Sequence, residues 1–600
     1  MKVNKQIAAL VLTGVLAAGS ALPAFAAAAP DGYTDASATP AAANGAYAAW
    51  QERWETIKND WTQVSLSPGS DDTQMNFAWY SKTPTASFRV ATDAAMTQLV
   101  QEQTITGQAA VKDSENTQYY SCKATASNLK PGTYYYQIGN QAATPFKVQD
   151  SSDGFSFIYV GDPQIGSSNS AKGQDTPEFY AAQSAAVCND SFNWSTTLNE
   201  AIERDQNASF VLSAGDQIQT TKKKAPNKDA TKSEIEYTGY LSPDALDSLP
   251  VATTVGNHDA DNANYTYHFN TANASELGSN GVVGGDYYFT YGGVLFMTLN
   301  TSNLSIAEHK AFLEETLKKN PDANWNVVSF HKSMYSVASH VTEEDIVQLR
   351  TGLSPIFKEL GIDVVLQGHD HVYARSYIMG GKDGMTADVQ KNADGTALTD
   401  IYAPDGVQYV TLNSGSGSKF YKITNEAFTY TAVQNQEKVP NYSKVSVTSD
   451  TFSVTTYRTS DQSVVDTFTL HKEKEPCDGG DKCPTKGFTD VDQTKYYHEA
   501  VDQLYTDGVM VGYNDTTYGI GKPMTRGMVV TVLYRMAGSP EVSGKCSFTD
   551  VPDSYYRNAV IWASENKITS GTSATTFSPD ETCTRAQAVT FLYRVNGSPA

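Results

Sequence analysis

The sequence predicts a multidomain chain: a β-sandwich, then an α/β layered domain, then small α-helical modules. Three observations predict it. Short strands separated by turn residues run from Trp61 to about Asp150. From Phe155, apolar strands alternate with helical stretches and end in polar residues. After Pro484, Phe488-Thr489-Asp490-Val491 recurs as Phe548-Thr549-Asp550-Val551, Thr525-Arg526 as Thr584-Arg585, and Leu533-Tyr534-Arg535 as Leu592-Tyr593-Arg594, which marks a duplicated module.

The N-terminal stretch reads as a secretory signal peptide over 1–26. Lys2 and Lys5 precede the apolar run Ile7–Leu22, and Ala24-Phe25-Ala26 supplies the small-x-small cleavage site. That run is short for a membrane anchor, and no later stretch has the roughly 20 apolar residues a spanning helix needs. Residues 27–60 read as a linker followed by a short helix over 46–57. Residues 61–150 form the sandwich, with strands at Gln74–Tyr80, Ser87–Ala91, Tyr119–Ala124 and Gly132–Ile138. The α/β domain spans 154–472, with strands Phe155–Val160, Phe210–Ser213, Pro250–Val255, Asn326–Phe330, Asp363–Leu366 and Val407–Leu412. Helices are expected at Phe192–Arg204, Ile306–Leu317 and Glu343–Leu360, and loops at 165–190 and 219–245. A linker over 473–486 leads to modules at 487–540 and 546–600.

The 600 residues carry 44 Lys+Arg against 66 Asp+Glu, a net charge of −22. A general nucleic-acid binder needs a basic footprint, so nucleic acid is excluded as a primary partner. Lys222-Lys223-Lys224 reads as a solvated charged loop. The six cysteines include no Cys-x-x-Cys; in an exported chain they permit disulfides, Cys477–Cys483 and then Cys546–Cys583 being the nearest pairs.

Five motifs end the α/β strands: Gly161-Asp162-Pro163-Gln164, Gly215-Asp216-Gln217, Gly256-Asn257-His258-Asp259, His331, and Gly368-His369-Asp370-His371. Carboxylate, amide and imidazole donors together suit Zn, Mn or Fe. Glycine lets the chain turn sharply where a strand ends, and ligands in α/β folds collect at the carboxyl ends of strands. Four of the nine histidines fall in these motifs, so coincidence is a poor explanation.

The ordered set resembles the calcineurin-like metallophosphoesterase superfamily and, with the preceding β-domain, most resembles the purple acid phosphatases, over about Trp61 to Lys472. The resemblance implies a double-sheet sandwich holding two metal ions (Fe, Mn or Zn). It implies that Asp216 bridges them, that Asn257, His331 and His369 complete one site, and that Asp162 and His371 hold the other. It places His258 on the substrate side as acid or phosphate ligand, Asp259 behind it, and His340 on the substrate side as well. Two positions depart from the pattern. Gln164 stands where many relatives have histidine, and Gln219 where purple acid phosphatases have tyrosine; the Gln164 amide oxygen or water is then the remaining ligand. The run Leu129-Lys130-Pro131-Gly132-Thr133-Tyr134-Tyr135-Tyr136 resembles the fibronectin type III-like N-terminal domain of those enzymes.

The duplicated modules resemble S-layer homology domains, which implies binding of anionic cell-wall polysaccharide through Asp490, Arg526, Asp550 and Arg585 on a Gram-positive-type surface. The expected activity is metal-dependent hydrolysis of phosphate monoesters outside the cell. The alternatives are a phosphodiesterase or nucleotidase on the same scaffold, and a non-catalytic wall-binding protein.

Overall fold

A computed structural model describes residues 31–171, 176–220, 230–261, 263–425, 427–472 and 483–596. The expected signal peptide over 1–26, the run Lys222-Lys223-Lys224 and Cys477 lie outside the described residues. The chain divides into two units, Met1–Glu473 and Lys474–Ala600.

The first unit opens with a segment that the sequence assigns to a linker. From Asp31 it is instead pinned to the domain that follows. Thr34 N–H donates to the Gly417 carbonyl at 2.7 Å, Ala36 N–H donates to Asn189 Oδ1 at 2.8 Å, and Ala36 is fully buried. Polar anchors on a distant element hold it, and local composition carries no trace of them. The helix Ala46–Ile57 follows and buries Trp50 and Trp54.

The sandwich consists of two four-stranded antiparallel sheets. Its core is aromatic: Phe77 packs on Phe88, Tyr136 and Phe146 at centroid distances of 4.9, 5.1 and 5.5 Å.

Two further sheets, of seven and nine strands, form the α/β domain. In the first, Val251–Thr253, Val211–Ser213 and Phe155–Val160 run parallel, and Asn441–Val447 continues it antiparallel. In the second, Val294–Leu299, Trp325–Phe330, Val364–Gln367 and Gly406–Thr411 run parallel. Each central strand is buried on both faces. Phe157 and Tyr159 point into the inter-sheet core with Phe210, Phe296 and Phe452, whereas Ile158 and Val160 point outward to the helices Pro177–Arg204 and Glu234–Leu241. Val327 and Val364 face inward, while Val328 and Val365 meet the helices Ile306–Lys319 and Glu344–Glu359. Burial on two faces explains the continuous apolar runs in the sequence.

The helix expected from Phe192 begins at Pro177. The Thr176 hydroxyl accepts from Phe179 N–H, and proline at the first turn needs no donor partner, so the start is capped well before the apolar stretch. The 219–245 loop likewise contains the helix Glu234–Leu241, all but one of whose residues are buried.

The second unit contains four helices among its described residues: His498–Thr506, Arg526–Met536, Arg557–Glu565 and Arg585–Val595. Thr525 and Thr584 cap the second and fourth with the same capping box, as the repeat predicts. The Cys546–Cys583 disulfide does not form, both residues being free thiols, and the Cys477–Cys483 pairing falls on Cys477, outside the described residues. Among the described residues, no helix is long and apolar enough to cross a membrane.

Candidate metal centre

The parallel strands of both sheets deliver their carboxyl ends to one edge, where a bridge between Gly161 and Ser414 joins the sheets. Five of the residues delivered there adopt left-handed backbone: Asp162 (φ 30°), Gln164 (37°), Asp216 (49°), His369 (75°) and His371 (43°). L-residues take this conformation only when surroundings impose it, and such strain concentrates at functional sites. The glycines ahead of the motifs are required by close approach. A Cβ on Gly215 would lie 2.5 Å from His331 Nδ1, one on Gly256 2.1 Å from Asp216 Oδ1, and one on Gly368 2.4 Å from Asp162 Oδ2.

Asp162, Asp216 and His331 converge within 4.8 Å. His331 Nε2 lies 3.2 Å from Asp216 Oδ2, 3.1 Å from Asn257 Oδ1 and 3.2 Å from His369 Nδ1. His371 Nε2 lies 3.6 Å from Asp162 Oδ1. Backbone amides orient the carboxylates: His369 N–H donates to Asp162 Oδ2 at 2.7 Å, and His258 N–H to Asp216 Oδ1 at 2.8 Å. Carbonyls orient the rings, with His331 Nδ1 on Ala214 O and His371 Nδ1 on Lys419 O, both at 2.9 Å. Gln164 Nε2 donates to Gln219 Oε1 at 3.0 Å, so the two departures from the family pattern pair with each other.

A metal fits this donor set. Asp162 Oδ1, Gln164 Oε1 and His371 Nε2 are buried lone-pair atoms without a hydrogen-bond partner, and such atoms need one. Burial pushes the Asp162 carboxyl up to about 7, with Asp216 adding to it and His331 opposing. Burial would lower His331, but the Asp216 and Asp162 carboxylates lift it to about 9. The pocket therefore holds a negative field that draws in positive charge. Burial, with nearby cations, keeps His369 and His371 well below the usual imidazole range, in the neutral form that coordinates metals.

The remaining candidates divide. His258, half-buried, turns Nε2 to within 3.9 Å of Asp216 Oδ2, and its Nδ1 lies 2.5 Å from the Gln219 carbonyl. Asp259 serves the loop rather than this ring: its carboxylate accepts from Gly256 N–H at 2.9 Å and Gln217 N–H at 3.2 Å. His340 reaches the site, its ring 4.5 Å from that of His369 and its Nδ1 2.5 Å from Asp370 Oδ1. Burial lowers His340, but Asp370 outweighs it and raises the imidazole.

Motif reading passed over the loop after strand Gly406–Thr411. Ser414 and Ser418 hydroxyls donate to the Asp162 and Pro163 carbonyls at 2.8 and 3.2 Å, clamping the first turn. Lys419 follows, its ammonium 5.2 Å from the Tyr421 ring centroid and under the pull of both carboxylates. Tyr421 packs against His340 and His371 at 4.7 and 5.5 Å. The small-residue run Asn413-Ser414-Gly415-Ser416-Gly417-Ser418 at a strand end was the available signal.

Of the wall-binding candidates, Asp490 accepts from Tyr518, Gly519 and Ile520 N–H groups, and Asp550 from Phe577 and Ser578 N–H groups. Arg526 is only 3% exposed; its Nε donates to the Phe577 carbonyl at 2.9 Å and its guanidinium sits over Phe577 and Phe591. These three brace the modules from within, and only Arg585 is exposed.

Comparison with known proteins agrees with this architecture. Residues 155–373 match the family model of the calcineurin-like phosphoesterases, residues 61–158 that of the purple acid phosphatase N-terminal domain, and residues 487–527 and 547–589 that of the S-layer homology domain. The chain thus contains a segment similar to the calcineurin-like phosphoesterases, preceded by one similar to the purple acid phosphatase N-terminal domain and followed by two similar to the S-layer homology domain. A purple acid phosphatase from yellow lupin (Lupinus luteus) seeds is similar in fold, with a TM-score of 0.50 and 13% identity over 69% of this chain and 75% of that one. A structure of PhoD aligns at a TM-score of 0.46 and 14% identity, over 69% of this chain and 91% of that one. A cell surface protein of Thermoanaerobacter kivui is 31% identical over 119 residues, 19% of this chain and 16% of that relative's length.

Proposed function

We propose that this protein is an exported, wall-attached phosphatase that hydrolyses phosphate monoesters with two metal ions. The observation that carries the reading is the set of buried unpartnered donors, Asp162 Oδ1, Gln164 Oε1 and His371 Nε2, facing the Asp216–Asn257–His331–His369 cluster. In this reading Asp216, Asn257, His331 and His369 would hold one ion, and Asp162, His371 and the Gln164 amide oxygen would hold the other, with Asp216 available to both. When bound, a metal pair supplies Lewis acidity that polarises phosphoryl oxygens and makes water a nucleophile near neutral pH.

The chain's own groups do the rest. His258 presents Nε2 toward the centre and, as general acid, delivers a proton to the leaving-group oxygen. Gln219 holds the ring through Nδ1, and Asp259 fixes the loop that carries it. Asp370 raises the His340 imidazole against the effect of burial, favouring its charged form, and His340 and Lys419 line the side of the site that receives the phosphate dianion. Tyr421 walls one side and limits water.

Gln219 in place of tyrosine leaves no phenolate at that position for charge transfer to iron, so the protein is expected to be colourless or weakly coloured; a strong visible tyrosinate–iron band in the purified protein would refute the ligand assignment. The S-layer homology domains support attachment to cell-wall polysaccharide on a Gram-positive-type cell, with Arg585 as the exposed contact, and residues 1–26 supply the export signal. The test is hydrolysis of an activated phosphate monoester and the matched diester by protein loaded in turn with Mn, Zn and Fe. Metal-dependent turnover of the monoester supports the reading. Preference for the diester moves the enzyme to the phosphodiesterases, and no turnover under any metal favours a non-catalytic surface protein.

A further inference from the structure

The second unit contains a cluster that neither the phosphoesterase reading nor wall binding uses. Cys483, His498 and Asp502 are buried together, 6%, 5% and 5% exposed. His498 and Asp502 lie one turn apart on the helix His498–Thr506, so their side chains share a face. Cys483 Sγ lies 3.2 Å from His498 Nε2 and 3.5 Å from Asp502 Oδ2, and the last two atoms are 3.1 Å apart.

We propose that these three side chains bind a zinc ion in the first S-layer homology module, with a water molecule as the fourth ligand of the tetrahedron. Zn–S of about 2.3 Å with Zn–N and Zn–O of about 2.1 Å, at tetrahedral angles, places S···N and S···O about 3.6 Å apart and N···O about 3.4 Å apart. Each observed edge falls within about 0.4 Å of those values. The donor set, one thiolate, one imidazole and one carboxylate, suits zinc.

The arrangement is that of a chelate rather than of a catalytic dyad. A nucleophilic cysteine relay uses both imidazole nitrogens, one toward sulfur and the other toward the acid. Here the same nitrogen, Nε2, faces both Cys483 and Asp502. Burial also denies a substrate access. Outer partners hold the ligands: the Thr485 hydroxyl donates to Asp502 Oδ1, leaving Oδ2 toward the sulfur and imidazole, and Gln493 Nε2 donates to Cys483 Sγ at 3.5 Å. Such supports are characteristic of metal sites.

The duplicated module provides an internal contrast. His498-Glu499-Ala500-Val501-Asp502 corresponds to Arg557-Asn558-Ala559-Val560-Ile561. Ala559 and Val560 stay buried like Val501, but Arg557 donates to the Val551 carbonyl and Ile561 joins the buried core. The positions that the repeat keeps are those that pack. The ligand pair lies in the first module beside a small four-residue core, Phe488, Val491, Val501 and Tyr518, whereas Val530 and Leu533 of the same module pack with ten buried side chains of the second. A metal offsets what that small core lacks.

The test uses the full-length protein, stripped of metal, reloaded with Zn²⁺ or Co²⁺ and desalted. Wild type is expected to retain one more zinc equivalent than Cys483→Ser, with His498→Gln and Asp502→Asn intermediate or equal to it. Co²⁺ should give a near-ultraviolet thiolate-to-cobalt band that Cys483→Ser abolishes. The phosphoesterase candidates include no cysteine, so this band separates the two centres, and Cys483→Ser should leave monoester hydrolysis unchanged. Equal zinc content in wild type and all three variants, with no Cys483-dependent band, overturns the proposal. So does a Cys477–Cys483 disulfide found by mass spectrometry of the unreduced protein.

Discussion

Gly256→Ala tests whether the centre depends on close approach between strand ends. Gly256 lies outside the left-handed region, so alanine meets no backbone penalty there. The added methyl would stand 2.1 Å from both the Asp216 N and Oδ1, against the 3.0 Å that real Cβ contacts essentially never breach. The strand ends are packed from both sheets, so Asp216 has to retreat by about 1 Å, and a misplacement of that size at a reacting centre lowers turnover about 10²-fold. Overpacking alone destabilises by about 1–3 kcal/mol, which leaves the fold intact. The assay is kcat/KM on an activated phosphate monoester, with metal content and thermal unfolding measured in parallel. Gly395→Ala is the control: its φ of +86° brings strain, but nothing lies within 4 Å of the new Cβ, so stability falls by about 1 kcal/mol and activity stays. A folded Gly256→Ala protein with kcat/KM within about threefold of wild type would refute the reasoning.

Other consequences can be measured directly. Burial raises Glu236 from 4.5 to about 7, although Gln219 and Thr220 N–H groups donate to it. The folded state therefore holds this proton where the unfolded chain has released it, and stability falls as pH rises from 4.5 to about 7, by up to about 3 kcal/mol. Glu236→Gln should flatten that part of the unfolding profile; an unchanged slope would show that the carboxyl titrates normally. His258→Ala should cost about 10²–10⁴-fold on esters with poor leaving groups and less on activated ones; equal losses across leaving groups would remove its role as acid. Arg526→Ala, which leaves the Phe577 carbonyl without its donor and a void under two rings, should destabilise the second unit by about 2–4 kcal/mol in hydrogen exchange. Arg585→Ala should leave stability unchanged and reduce retention on purified cell walls; the reverse pattern would invert their roles.

Much of the architecture is legible in the sequence because it is written in short-range signals. Strand Phe155–Val160 and strand Gly132–Ile138 fall where apolar runs and turn residues put them. Helix Ile306–Lys319 begins at its expected residue because Ser305 caps it. The motifs also name their own turns, since a glycine before Asp216 or His369 marks the point where a strand ends. Pinning of residues 31–45 against Asn189 and Gly417 was not legible, because its partners lie far away in the chain.

What the sequence by itself determined is the order of domains, the donor types and the strand ends that bear them, all properties of a few consecutive residues. Only the tertiary structure decided which donors meet. It brought Asp162 to His371 across more than 200 positions, paired Gln164 with Gln219, added Lys419 and Tyr421 from an unmarked loop, turned Asp259 and Arg526 inward, and assembled Cys483 with His498 and Asp502. The physical reason is that convergence depends on sheet order and on two-sided burial, which are set by packing between distant segments and leave no local pattern to read.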